Sequence, residues 1–195
     1  MKKLLFCFVA ILAFSCSEDQ SENVNQVKID AVLNLEGEKQ KLAYNTLTDV
    51  EKQAIWNQRF ESAMDNENLT PEQKALIKEL IEINSTIRGL TPEQAITMQE
   101  AWTGKAEKIF TFDQIKSMAF QLSDAPELSN PKGSPVAKED PTATNCNCNR
   151  GALFSCGLEY ICPDADSTCK NPTSFGCGFM FVWPCNQLCV WIFKD

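Results

Sequence analysis

The stretch NCNCNRGALFSCGLEYICPDADSTCKNPTSFGCGFMFVWPCNQLCVWIFKD, residues 145–195, decides how this chain is read. It holds Cys146, Cys148, Cys156, Cys162, Cys169, Cys177, Cys185 and Cys189, in the pattern C-x-C-x7-C-x5-C-x6-C-x7-C-x7-C-x3-C. A segment of this length buries too small a core to offset its chain entropy comfortably, so disulfide staples are expected. Four bridges are the natural reading of an even count. Cys146 and Cys148 are too close to pair easily with each other, so they are expected to reach different partners. Which partners remains open, because eight cysteines permit about a hundred pairings.

Two runs in this module are rich in apolar rings. Phe179 to Trp183 and Val190 to Phe193 read as strands, paired through the connection around Pro184 to Cys189. With staples helping to hold the fold, Phe179, Phe181, Trp183, Trp191 and Phe193 form a candidate contact face for a membrane or receptor. The competing reading is that these rings fill the module's own small core. A zinc site built from thiolates would want C-x2-C knuckles, and a redox enzyme C-x-x-C; neither spacing occurs in the chain. No metal and no cofactor is expected.

Upstream, Met1-Lys2-Lys3 is a short basic start, and Leu4 to Phe14 an apolar run too short to span a bilayer as a mature helix. Small residues at Ala13 and Ser15 suit cleavage of residues 1–15 before Cys16. This resembles a bacterial lipoprotein signal, which implies that Cys16 is acylated and becomes the new N-terminus. Ser17-Glu18-Asp19 resembles the surface-export signal of Bacteroidetes lipoproteins. The implied location is the outer membrane, lipid-anchored and surface-exposed, with residues 16–28 as a polar tether.

From about Val27 to Leu122 the chain reads as helical, and residues 29–122 are expected to form one small bundle. Thr48 with Glu51, Thr70 with Gln73, Thr91 with Gln94 and, more weakly, Thr111 with Gln114 have the spacing of capping boxes. Pro71 and Pro92 stand at the first helical position, where no amide donor is needed. Leu76, Leu80, Ile83 and Ile87 recur at helical spacing, as do Ala95, Met98, Trp102, Ala106 and Ile109, and then Phe112, Ile115, Ala119 and Leu122. Trp56 and Trp102 read as core fillers. Gly89 and Gly104 are candidate stops or breaks. Residues 123–144 then change character: Pro126, Pro131, Pro135, Pro141 and Gly133 interrupt a Ser- and Asn-rich segment with no hydrophobic period. This predicts a semi-rigid linker open to proteases. The fold class is therefore a small helical N-terminal domain plus a disulfide-rich, mostly β and loop C-terminal module.

Net charge is −8, and removal of residues 1–15 takes away Lys2 and Lys3 and no acid. Most of the acidity lies upstream of residue 145. Neither part has the clustered Lys and Arg of a nucleic-acid binder. The chain contains no histidine. That excludes Ser-His-Asp and Cys-His catalysis, His-ligated metals and an imidazole switch. No catalytic constellation stands out, and an enzyme is not expected.

The opening Asn145-Cys146-Asn147-Cys148, the singly spaced cysteines that follow, and Gly176-Cys177-Gly178 before an aromatic run and Cys185 resemble fulvocin C, a small cysteine-rich bacteriocin. The whole architecture is similar to the fulvocin C-related proteins of Bacteroidetes. The last pair departs from that pattern, since three residues separate Cys185 from Cys189. The resemblance covers about a quarter of the chain and implies antibacterial activity, with a competitor's envelope or a receptor as the partner. The alternative is a surface adhesion or interaction lipoprotein that does not kill.

Overall fold

The computed structural model describes residues 24–122, 146, 148–149, 160–162 and 169–191. Among the described residues six α-helices come first: α1 (Gln26–Leu33), α2 (Gly37–Tyr44), α3 (Asp49–Met64), α4 (Pro71–Thr86), α5 (Pro92–Ala106) and α6 (Phe112–Ala119). Their starts follow from local chemistry. At α3, α4, α5 and α6 a threonine hydroxyl accepts from the backbone N–H three residues on, and the Glu or Gln there accepts in return from the threonine N–H. The start at Thr111 is as complete as the other three. Gly104 does not break α5 but lies inside it, exposed. Gly89 closes a 3-10 turn (Ile87–Gly89) after α4. Helix α1 begins at Gln26, so the first turn of the bundle occupies residues expected to belong to the tether.

Helices α3 and α4 pack along each other, with α5 against α4 and α1 against α2. Trp56, Phe60, Ile77, Leu80, Trp102, Ile115 and Met118 are fully buried between them. One indole and one guanidinium donate to backbone carbonyls inside this core. Trp102 Nε1 donates to the carbonyl of Leu76 at 3.0 Å, and Arg59 donates to the carbonyls of Ser117 and Leu122 at the end of α6. Buried charge thus meets the carbonyl of Ser117 in the last turn of α6 and that of Leu122 just beyond the helix. Ile109 and Phe112, in line with the apolar repeat, instead stand partly in solvent at the α5–α6 corner.

The C-terminal part is small sheets and staples. Strand β1 (Tyr160–Ile161) pairs antiparallel with β4 (Val190–Trp191), and β2 (Thr173–Cys177) with β3 (Trp183–Cys185). The expected strand over Phe179 to Trp183 is a correction. Phe179–Phe181 is a 3-10 turn, and only Trp183–Cys185 is extended. Gly178, Met180 and Phe181 all have positive φ, at 69°, 47° and 54°, which ends the strand geometry of β2 at Cys177. The expected pairing of the two aromatic runs is also corrected. Each run has a different partner, β2 for Trp183–Cys185 and β1 for Val190–Trp191.

Disulfides close this part of the chain. Cys146 bonds Cys169, Cys148 bonds Cys162, and Cys177 bonds Cys185, with Cα separations of 5.0, 6.0 and 5.4 Å. Cys189 is bridged as well. Cys146 and Cys148 go to different partners. Their backbones are also tied, Cys146 N–H to the Lys170 carbonyl at 2.7 Å and Cys148 N–H to the Gln187 carbonyl at 3.0 Å.

Candidate functional site

The feature with the most built chemistry is the seam where the cysteine module meets the helices. One hydrophobic core runs through both: Phe179, Met180, Phe181, Trp183, Cys146, Cys177 and Cys185 belong to the same cluster as Tyr44, Trp56 and Trp102. The 3-10 turn is the plug. Phe181 inserts edge-on against Tyr44 at 5.3 Å and against Trp56 at 5.5 Å between ring centroids. Phe179 meets Trp102 at 5.7 Å and Phe120 at 5.4 Å. Such ring pairs each contribute about 0.5–1.5 kcal/mol beyond the burial of their area.

The backbone of the plug is held in a conformation that bulky residues avoid. Left-handed geometry at a non-glycine residue costs roughly 1–2 kcal/mol. Here it occurs at two successive buried side chains, Met180 and Phe181. The helices offset that cost through the ring contacts and a hydrogen bond, Tyr44 Oη to the Met180 carbonyl at 3.4 Å.

Tyr44 is the polar centre of the seam. Its hydroxyl also accepts from Trp56 Nε1 and from Arg88 Nη2, each at 3.2 Å. Arg88 is itself fixed by Asn84 Oδ1 at 2.7 Å, and Asn84 reaches Gln53 and Asn57 on α3. Complete burial raises the Tyr44 phenol above its ordinary value, with the adjacent Arg88 charge pulling the other way.

A second attachment lies beside it. Asn45 uses its side-chain amide as a strand would use a peptide: Nδ2 donates to the Phe175 carbonyl at 2.5 Å, and Oδ1 accepts from the Phe175 N–H at 2.9 Å. The Phe175 ring carries the Lys52 ammonium over its face, 4.1 Å from the centroid. Gly176 passes so close to α2 that a β-carbon there would stand 3.3 Å from Lys41 Cβ. The seam thus combines an aromatic plug, a two-bond amide clasp, a cation over a ring and a close backbone approach.

This placement corrects the candidate contact face at Phe179, Phe181 and Trp183. Phe179 and Phe181 are buried against the helical bundle, and Trp183 is buried in the same cluster, the most exposed of the three at 8%. Neither a free surface nor a core internal to the module describes them. They fill a core shared with the helices, in one cluster with Tyr44, Trp56 and Trp102. Trp191 lies in β4, opposite Tyr160. Phe193, Cys16, Cys156, the export segment and the linker fall outside the described residues.

The sequence reading missed Tyr44, Asn45, Lys52 and Gly176 as partners in one site. The only local hint was Gly-Cys-Gly beside a dense aromatic run, a place where backbone passes close to something bulky. Among the described residues no group of three or more His, Cys, Asp and Glu could hold a metal ion, and no helix is long and apolar enough to cross a membrane. Comparison with family models, curated proteins and solved structures returns no match.

Proposed function

We propose that this chain is an exported surface lipoprotein, acylated at Cys16, that carries a fulvocin C-like antibacterial module in a docked and masked form. The observation that carries the reading is the buried plug. Two of the rings best suited to touch an apolar target, Phe179 and Phe181, are covered by helices α2, α3 and α5 of the same chain, and Trp183 is buried in the same cluster. Contact with a competitor's envelope then requires the module to leave the bundle, and cleavage within residues 123–144 is the route. The module's charge is near zero, with Arg150, Lys170 and Lys194 against Glu159, Asp164, Asp166 and Asp195. Apolar insertion or a protein receptor fits that balance better than attraction to an anionic bilayer.

The test compares oxidised mature protein, intact and after cleavage in the linker, on a panel of related strains. Growth inhibition by the cleaved sample alone is the expected result. Inhibition by neither sample, with the bridges verified by mass, counts against killing.

The same burial favours a second reading. A protein whose two parts share one core functions naturally as a single unit. An adhesion or interaction lipoprotein that is never cleaved needs no undocking step. Intact protein recovered from the cell surface, uncut in the linker and inert to competitors, would select it.

A further inference from the structure

We propose that the helical bundle is an intramolecular template for oxidative folding of the cysteine module, and that it acts by selecting the Cys177–Cys185 bridge. This function holds whether or not the module kills.

The argument begins with the turn between those two cysteines. Residues 178–181 adopt a path with Gly178, Met180 and Phe181 at positive φ, and Met180 and Phe181 are not residues that choose it unaided. A short reduced segment free in solution samples many other paths. Beside the turn's own backbone hydrogen bonds, the groups that hold this path lie on the bundle: the Tyr44 ring and hydroxyl, the Trp56 ring, and the Trp102 and Phe120 rings that seat Phe179. Asn45 fixes the approaching strand two residues before Cys177 through both polar groups of Phe175. With strand and plug both seated on the bundle, Cys177 and Cys185 are brought to a Cα separation of 5.4 Å.

The order of events follows from locality. Helices α3 to α6 are started by capping boxes that span four residues each and need no distant partner. The module's strands are two to five residues long and pair in two-stranded sheets. Isolated two-stranded pairs of that size are marginal in water. Short-range structure forms before long-range pairing, so the bundle is present when the thiols begin to exchange. Selection matters because eight cysteines can pair in about a hundred ways.

The chemistry is ordinary thiol–disulfide exchange. A thiolate of the pair attacks a low-molecular-weight disulfide oxidant and releases one thiolate. The second cysteine displaces the other thiolate from the mixed disulfide. Two electrons pass from the two cysteines to the oxidant, and their two protons end on the released thiols or in solvent. The bundle takes no part in the electron transfer; it holds the two sulfurs within reach of each other.

The experiment uses the whole mature chain in a Cys16→Ser background, reduced and denatured, then diluted into glutathione and its disulfide. Thiols are trapped at intervals and the bridges mapped by peptide mass, with far-UV circular dichroism taken on the reduced chain first. The reduced chain is expected to be helical and the wild type to form 177–185 as its first persistent bridge. Asn45→Ala and Asn45→Asp, changes at the half-buried end of α2, are expected to slow that bridge several-fold and to raise the share of mispaired isomers. In wild type across a urea series, the rate of forming 177–185 is expected to follow the helix content. A reduced chain without helix overturns the proposal. So does formation of the bridge at the wild-type rate and yield in both variants, or at a rate in urea that ignores helix loss.

Discussion

The Tyr44 hydroxyl donates to the carbonyl of Met180, tying the end of the second helix to a turn 136 residues further along the chain. The same oxygen accepts from Trp56 and Arg88, so its one hydrogen and two lone pairs are all engaged. Tyr44→Phe keeps the ring against Phe181 and removes only this node. It leaves a buried indole N–H and a buried carbonyl without that partner. The expected loss is about 2–3 kcal/mol, measured by urea unfolding of the oxidised protein. A loss below about 0.5 kcal/mol would show that water or a neighbour replaces the hydroxyl.

Alkaline pH attacks the same residue. Burial holds the Tyr44 phenol above its ordinary value of about 10. The folded state therefore keeps its proton where the unfolded chain gives it up. The stability from the neutral phenol is complete below pH about 10 and is lost as pH rises from there through the folded-state value. Phenolate absorbance from Tyr44 is expected to appear together with loss of helix, and Tyr44→Phe to weaken that alkaline transition. Titration of Tyr44 in a fully helical protein would contradict its burial.

Acid has a different target. Glu51 accepts from the Thr48 N–H at 2.7 Å and then from Lys28 Nζ at 3.0 Å, and these hold its carboxyl below the ordinary range. The folded-state value is depressed, so this contribution is present above the ordinary carboxylate range and is lost as pH falls through the folded value. Glu51→Gln preserves the capping box, as Gln73, Gln94 and Gln114 do at the other three helices, but removes the ion pair. Because Lys28 is about a third exposed, the expected cost at neutral pH is under about 1 kcal/mol. Thermal melts of the two proteins should converge as pH falls through the depressed folded-state value of Glu51. A constant gap across that range would assign the effect to shape and not charge.

Where the sequence is local, it is legible. Four threonines and their partners three residues on place the starts of α3 to α6, since a capping box needs nothing outside itself. The one-sided apolar spacing of α4 and α5 marks Leu76, Leu80, Ile83, Ala95, Trp102 and Ala106, all buried. The seam is not legible in the same way. Phe179 to Trp183 reads as a strand because alternation and aromatic content carry no record of φ. Its surface role fails because nothing in those five residues names Tyr44, Trp56 or Trp102 as the wall they meet. A proline-rich linker also suggests two separate units, yet the linker's composition says nothing about whether the parts on either side of it dock. Asn45 shows the limit most clearly. It follows the last residue of α2, and its clasp on Phe175 depends on a strand 130 residues away.

Two glycines separate the freedom of a helix from the constraint of the seam. Gly104 sits exposed within α5, and a β-carbon added there meets nothing within 4 Å. Gly104→Ala removes backbone entropy from the unfolded chain and should stabilise by about 0.5–1 kcal/mol. Gly176 has φ +117° and faces α2, where a β-carbon would lie 3.3 Å from Lys41 Cβ and 3.4 Å from the Lys41 carbonyl oxygen. Gly176→Ala imposes a backbone that alanine resists and presses the module off the helix, at an expected cost of about 1–3 kcal/mol. Its damage should concentrate at the seam. Amide hydrogen exchange is expected to rise at Phe175 and around the 178–182 turn while α4 and α5 stay protected. Equal effects of the two substitutions, or protection at the turn unchanged by Gly176→Ala, would mean that α2 yields to the added carbon without releasing the module.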